Sequence, residues 1–89
     1  MPADIAATMA ITQRPVALAA LEQPASAAAW RAVPAYSPVT TEDKNIPVES
    51  QRFMSGRAAE HTVEVRASHA VSVSDPSAVA ELILPAAQR

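Results

Sequence analysis

Two residues of this chain combine the right chemical type with the right placement for proton transfer, Asp43 and His69. Asp43 lies in the polar stretch Glu42-Asp43-Lys44-Asn45, directly after Val33 to Thr41, whose Val, Tyr and Thr content reads as a strand. His69 lies in Ala67-Ser68-His69-Ala70, directly after Thr62 to Arg66, where Thr-Val-Glu-Val-Arg alternates as a strand does. Between the two segments there is room for one helix, opened by Pro47 and running to about Ala58. Strand–helix–strand at this spacing implies a parallel pair with a right-handed crossover. Both strands of such a pair end on the same rim of the sheet, where ligands and catalytic groups collect. A carboxylate and an imidazole on neighbouring strand ends come within hydrogen-bond reach, and the carboxylate then fixes the ring's tautomer and stabilises its protonated form. Glu42 is the rival acid, one residue earlier. A lone histidine after a strand is more often structural than catalytic, so the residues alone make this pair a candidate and no more.

The remaining elements are read from periodicity and punctuation. Ala3 to Thr12 is Ala-rich, with Ile5, Met9 and Thr12 on one face at helical spacing. Pro15 suits the first position of a second short helix that buries Leu18 and Leu21. Glu22 to Ala29 is a small-residue connector around Pro24. Asp75-Pro76 is a strong start for a last helix, an N-cap acceptor followed by proline at the first helical position, packing through Val79, Leu82 and Ile83. The predicted order is helix, helix, strand, helix, strand, helix, an α/β arrangement of two parallel strands with flanking helices. Among the other polar residues, His61 has no partner at useful spacing and reads as a solvated linker residue. Arg52 and Arg57 read as a solvated helix face, and Trp30 as a packing anchor. Two histidines without a clustered carboxylate form no metal motif, and no cofactor is expected.

Composition bounds what such a unit can be. The chain has 89 residues and is 49% hydrophobic, but 21 of those positions are alanine and only Trp30, Tyr36 and Phe53 are aromatic. A chain this short, with few large apolar side chains, is poorly supplied for a core of its own. There is no cysteine to staple it or to bind a metal as thiolate. The net charge of −2 argues against nucleic acid, which calls for a basic face. The longest apolar run, Val16 to Leu21, is far short of a membrane span. Met-Pro-Ala-Asp has no basic region ahead of an apolar stretch, so no secretory leader is expected and a cytoplasmic location is.

Several segments carry a family resemblance. Thr41-Glu42-Asp43-Lys44-Asn45-Ile46-Pro47, followed by Gln51-Arg52-Phe53-Met54 and Arg57-Ala58, resembles the acid loop and following helix of α/β-hydrolases, in particular the small esterase and hydroxynitrile-lyase-like branch. Ala67-Ser68-His69-Ala70, with Ser74-x-Pro76-x-x-Val79-Ala80-x-Leu82-Ile83 behind it, resembles the catalytic-histidine loop and C-terminal helix. Upstream, Thr12-Gln13-Arg14-Pro15 and Trp30-x-x-x-Pro34 resemble the end of the cap region and its return to the core. The match runs in collinear order over nearly the whole chain. It implies that residues 1–29 end a cap-like helical region and that 30–89 form the C-terminal strand–helix–strand–helix part of the core. It also implies a triad in the chain order serine, acid, histidine, with Asp43 and His69 in the last two places. Asp43 is preferred to Glu42 because it directly precedes the Lys-Asn-Ile-Pro turn, where the family's acid sits.

Two departures from the family pattern matter. The nucleophile elbow Gly-x-Ser-x-Gly is absent, and the one glycine, Gly56, falls near the end of a helix. Ser68 adjoins His69 but points the other way in an extended loop, and Ser72 and Ser74 lack any elbow. Ser37-Pro38 stands in a segment that the family buries as a central strand, where proline removes a ladder donor. The resulting expectation is an α/β-hydrolase-like C-terminal segment with the acid and base of a triad and no nucleophile. Intact relatives would hydrolyse small esters, and this chain alone is expected to be inactive. Its expected partner is an N-terminal hydrolase portion or a second copy of itself. The alternative is a non-enzymatic interaction module that uses an exposed sheet edge.

Overall fold

The computed structural model describes residues 1–88. It contains α1 (Ala3–Ile11), α2 (Leu18–Glu22), a 3₁₀ turn (Ala29–Arg31), β1 (Tyr36–Thr40), α3 (Val48–Ala58), β2 (His61–Val65), α4 (Val71–Ser74) and α5 (Pro76–Ala87). The strands β1 and β2 pair in parallel as a two-stranded sheet, in the register Tyr36–His61, Pro38–Val63 and Thr40–Val65. The chain is thus of mixed α/β class, with α3 as the crossover between parallel strands.

Local hydrogen bonding explains where each strand begins and ends. β1 starts at Tyr36 rather than Val33 because Ala32 N closes the 3₁₀ turn on Ala29 O at 2.9 Å, Val33 N still donates to the same carbonyl at 3.0 Å, and Pro34 then separates that turn from the strand. β2 starts at His61, one residue earlier than its alternation predicts, where Glu60 N and His61 N both donate to Ala35 O. It ends when Ala67 N turns back onto Val65 O at 2.9 Å. Helix α5 opens as its sequence implies: Asp75 Oδ1 accepts from Ala78 N at 3.3 Å and Pro76 occupies the first turn. Pro47 is the N-cap of α3, with Glu49 in the first turn and Arg57 in the last, charges that suit the helix dipole.

Proline in β1 is accommodated by the parity of a parallel ladder. Thr41 N donates to Val65 O, so odd-numbered residues of this segment turn their N–H and C=O toward β2. Even-numbered residues turn theirs to the outer edge. Pro38 is even-numbered, and the donor it lacks would have faced away from β2, the position where an edge strand tolerates proline.

The two faces of the sheet are dressed differently. Ser37 Oγ lies 2.6 Å from Ser55 Oγ and Glu64 pairs with Arg52, so odd β1 residues and even β2 residues face α3. Tyr36 and Pro38 face α5, where they border an open cavity with Val79, Leu82 and Ile83. Val39 is fully buried, and Ala67 is the other buried apolar residue among those described. Several expected packing positions stay in solvent. Leu18 and Leu21 are 65% and 76% exposed, and Ile83 is 57% exposed, while Val79 and Leu82 are half-buried. Helix α2 has five residues and starts at Leu18 instead of Pro15, because Ala17 is extended; so short a helix finds no sheet face to pack on. The total accessible area is 6986 Å², against about 5000 Å² for a compact monomer of this mass. The Cα radius of gyration of 14.9 Å likewise exceeds the roughly 12 Å of a compact domain of this length. Among the described residues, no helix is long and apolar enough to cross a membrane.

Candidate functional site

Beyond the last paired residues of the strands, the backbone ladder continues. Thr41 N donates to Val65 O at 2.9 Å, and Glu42 N donates to Ala67 O at 3.1 Å. These two bonds lay the residue 41–46 loop alongside the residue 66–70 loop on one rim of the sheet. Asp43 and His69 are thereby brought together, with His69 Nδ1 2.9 Å from Asp43 Oδ2. The side chains differ sharply in access: Asp43 is 3% exposed and His69 52%.

Asp43 is held from every side. Its Oδ1 accepts from Asn45 N at 2.7 Å and Ile46 N at 2.9 Å, an Asx-type turn that fixes the carboxylate to its own loop. Its Oδ2 faces His69, the Thr40 hydroxyl at 2.9 Å and Gln51 Nε2 at 3.5 Å. Burial raises the Asp43 pKa, but donation from Ile46 N–H, His69, Asn45 N–H and the Thr40 hydroxyl outweighs burial. The group is held well below its ordinary value of 3.8. An ionised carboxylate only accepts, so the 2.9 Å contact places the proton on Nδ1 of His69. The neutral ring then keeps its lone pair on Nε2, which has no hydrogen-bond partner among the described residues.

Gln51 is the residue that sequence reasoning missed. It stands one turn into α3 and reaches across the outer edge of β1, where its Oε1 accepts from Thr40 N at 2.9 Å and its Nε2 donates to Thr40 O at 3.0 Å. The same Nε2 donates to Ile46 O at 2.9 Å. One amide side chain therefore supplies the pairing that a neighbouring strand would give Thr40, and ties the Asp43 loop to α3. The only sequence signal was its place within the segment that resembles the family's post-acid helix.

The other candidates fall elsewhere. Glu42, the rival acid, points to Arg66 Nε at 2.7 Å and takes no part in the pair. Ser68 neighbours His69 in an open cavity of about 740 Å³ that Met1, Met9, Glu42 and Lys44 also line. Among the described residues no hydroxyl hydrogen-bonds the His69 ring. His61 is exposed, as expected, but it is not a linker residue without a partner: it belongs to β2 and stacks on Tyr36 across the strands, with ring centroids 4.5 Å apart and an interplanar angle of 16°. Arg52 forms a two-toothed pair with Glu64, which raises the Arg52 pKa and lowers that of Glu64. Arg57 and Arg31 lie over the Trp30 ring at 5.8 and 5.2 Å.

The chain was compared with protein-family models, curated proteins and solved structures. None of them matches it. What the chain offers is therefore the site itself, a carboxylate-oriented imidazole at the rim of a parallel strand pair. Such a pair can take a proton from a hydroxyl and return it to a leaving group, provided a nucleophile is presented to Nε2.

Proposed function

We propose that this chain is an α/β-hydrolase-like C-terminal segment, with Asp43 as the orienting acid and His69 as the general base of an incomplete triad. The 2.9 Å contact between Asp43 and His69 carries the reading. It joins two residues that follow successive parallel strands, in the chain order acid then histidine, as the family resemblance requires. The burial difference supports it as well, since the orienting carboxylate is enclosed and the imidazole opens onto a cavity. Small esters are the substrate class of the completed site. The apolar side chains of Met1 and Met9 suit a short acyl or alkyl group beside the His69 ring. The nucleophile and its oxyanion donors would come from an N-terminal hydrolase portion. The chain alone is inactive in this account.

Hydrolysis of an activated p-nitrophenyl ester tests the proposal. The isolated chain should show no burst and no rate that depends on His69. A His69-dependent rate should appear when the chain is mixed with a hydrolase portion bearing Gly-x-Ser-x-Gly, and Asp43→Asn should reduce it about 10⁴-fold if Asp43 orients the ring as a triad acid does. A burst from the chain alone, abolished in His69→Ala, would contradict the missing nucleophile. A mixed rate indifferent to Asp43→Asn would contradict the assigned roles.

A further inference from the structure

Arg52 and Arg66 each commit their guanidinium to a carboxylate, Glu64 and Glu42 respectively. Arg31 and Arg57 do not. Both lie over the ring of Trp30, with their guanidinium carbons 5.2 and 5.8 Å from its centroid. Among the described residues neither guanidinium enters a hydrogen bond or an ion pair. The two distances limit the separation of these carbons to about 11 Å, their sum, so two cations without a counter-charge stand about one Debye length apart or closer. They come from separate elements: Arg31 ends the 3₁₀ turn, and Arg57 lies in the last turn of α3.

Trp30, Arg31 and Arg57 line one open cavity of about 420 Å³, with Ser26 and the rest of the small-residue segment 25–28 as its remaining wall. No acidic side chain lines it, so its charge is positive and uncompensated. The cavity is separate from the one beside His69, and the two share no lining residue. Chain order places them at different rims. Trp30 and Arg57 shortly precede the paired strand starts Tyr36 and His61, whereas Asp43 and His69 follow the strand ends.

We infer that this cavity binds the dianionic phosphoryl group of a small phosphate monoester, held between Arg31 and Arg57. Charge sets the ligand class. A phosphate monoester carries about −1.5 to −2 at pH 7 and presents three acceptor oxygens, which matches two cations that lack a counter-charge. A carboxylate brings a single charge and two oxygens, and leaves one guanidinium unmatched. Each arginine offers a planar fork of N–H donors that suits phosphate oxygens, and two forks this close can donate to one phosphate. Contact with the Trp30 ring restrains both long side chains before a ligand arrives, which lowers the ordering cost of binding. The open side of the cavity leaves room for the ester carbon. The site stands or falls independently of the roles assigned to Asp43 and His69.

Trp30 is the one tryptophan, so its fluorescence reports on the cavity directly. Methyl phosphate, exchanged for sodium chloride at a constant ionic strength of about 0.1 M, should change that emission saturably, with half-effect in the millimolar range. Inorganic phosphate should do the same, and acetate should bind at least about threefold more weakly. The Nε–H signals of Arg31 and Arg57 in ¹H–¹⁵N spectra should shift over the same titration. Arg31→Gln and Arg57→Gln should each weaken methyl phosphate binding at least about threefold, and the double variant should abolish it. Arg52→Gln removes the same charge from the same helix and should leave the affinity unchanged. No saturable change in either readout up to about 50 mM methyl phosphate overturns the inference. Equal losses in Arg52→Gln and Arg57→Gln overturn it too, since net charge alone would then account for the response. Acetate binding as tightly as methyl phosphate overturns the phosphoryl class, and inorganic phosphate binding where methyl phosphate is excluded overturns the monoester.

Discussion

Replacing Gln51 with alanine removes one side chain and strands three backbone groups. Thr40 is 4% exposed, so its N–H cannot turn to solvent once Gln51 Oε1 is gone. A buried donor left without a partner costs about 1–3 kcal/mol. The carbonyls of Thr40 and Ile46 each lose a donor as well, adding about 0.5–1.5 kcal/mol apiece before relaxation. Allowing for partial rescue by water at Ile46, the sum is about 2–4 kcal/mol. A natural domain of this length holds about 4–13 kcal/mol in all. The thermal midpoint of Gln51→Ala should therefore fall by at least about 8 °C, and the urea midpoint should drop with little change in slope. Gln51→Glu sharpens the test. It keeps an acceptor for Thr40 N but puts a carboxylate oxygen where Nε2 stood, 3.5 Å from Asp43 Oδ2 and facing two carbonyls. At pH 7 it should be at least as destabilising as Gln51→Ala. Near pH 4, where its carboxyl gains a proton and one donor returns, the two variants should converge. Circular dichroism at 222 nm in urea reads both. A Gln51→Ala midpoint within about 0.5 kcal/mol of the parent, or a Gln51→Glu more stable than Gln51→Ala at pH 7, would refute the clamp.

Acid should expose the Asp43 network. Its folded pKa lies below the unfolded value of 3.8, so its contribution is fully present above that value and is lost as pH falls beneath it. Stability of the parent should decline below about pH 4, and Asp43→Asn should lack that part of the slope; parallel profiles from urea titrations would show that the carboxylate is not held as described. Val39→Ala empties the most buried position of the sheet, removing two methyl equivalents at about 0.8 kcal/mol each plus a cavity term, about 2–3 kcal/mol in all. A thermal midpoint lowered by about 10 °C is expected, and one lowered by less than about 3 °C would mean that Val39 is not the pivot of the core.

The legible parts of the molecule were those that local chemistry decides. Asp75-Pro76 opens its helix whatever packs on it, and Thr62 to Arg66 alternates strongly enough to place β2 to within one residue. Asp43 and His69 were visible because a parallel strand pair sends both strand ends to one rim, a consequence of topology that needs no side-chain detail. Pro38 stands in the sequence as a departure from a buried strand because sequence does not reveal which way an amide of β1 faces. Once Thr41 N is seen to donate to Val65, parity sends the missing donor outward. Gln51 was illegible for a similar reason: a glutamine on a helix gives no sign that the strand edge beside it lacks a neighbour. His61 gains its role only through the register that seats it against Tyr36. Leu18 and Leu21 carry a helical pattern with nothing opposite, and pattern alone cannot supply a partner surface.

The central claim is that Asp43 holds the imidazole of His69 in the tautomer that leaves Nε2 free. Long-range ¹H–¹⁵N correlation of the histidine rings tests it most directly, at a pH where the ring is neutral. His61→Gln removes the second histidine, so the signal is unambiguous. The account predicts a protonated Nδ1 and an imine-like Nε2 for His69, reverting in Asp43→Asn toward the Nε2-protonated form that solvated histidine favours. An Nε2-protonated ring in the presence of Asp43, or a ring whose tautomer ignores Asp43→Asn, would contradict the account.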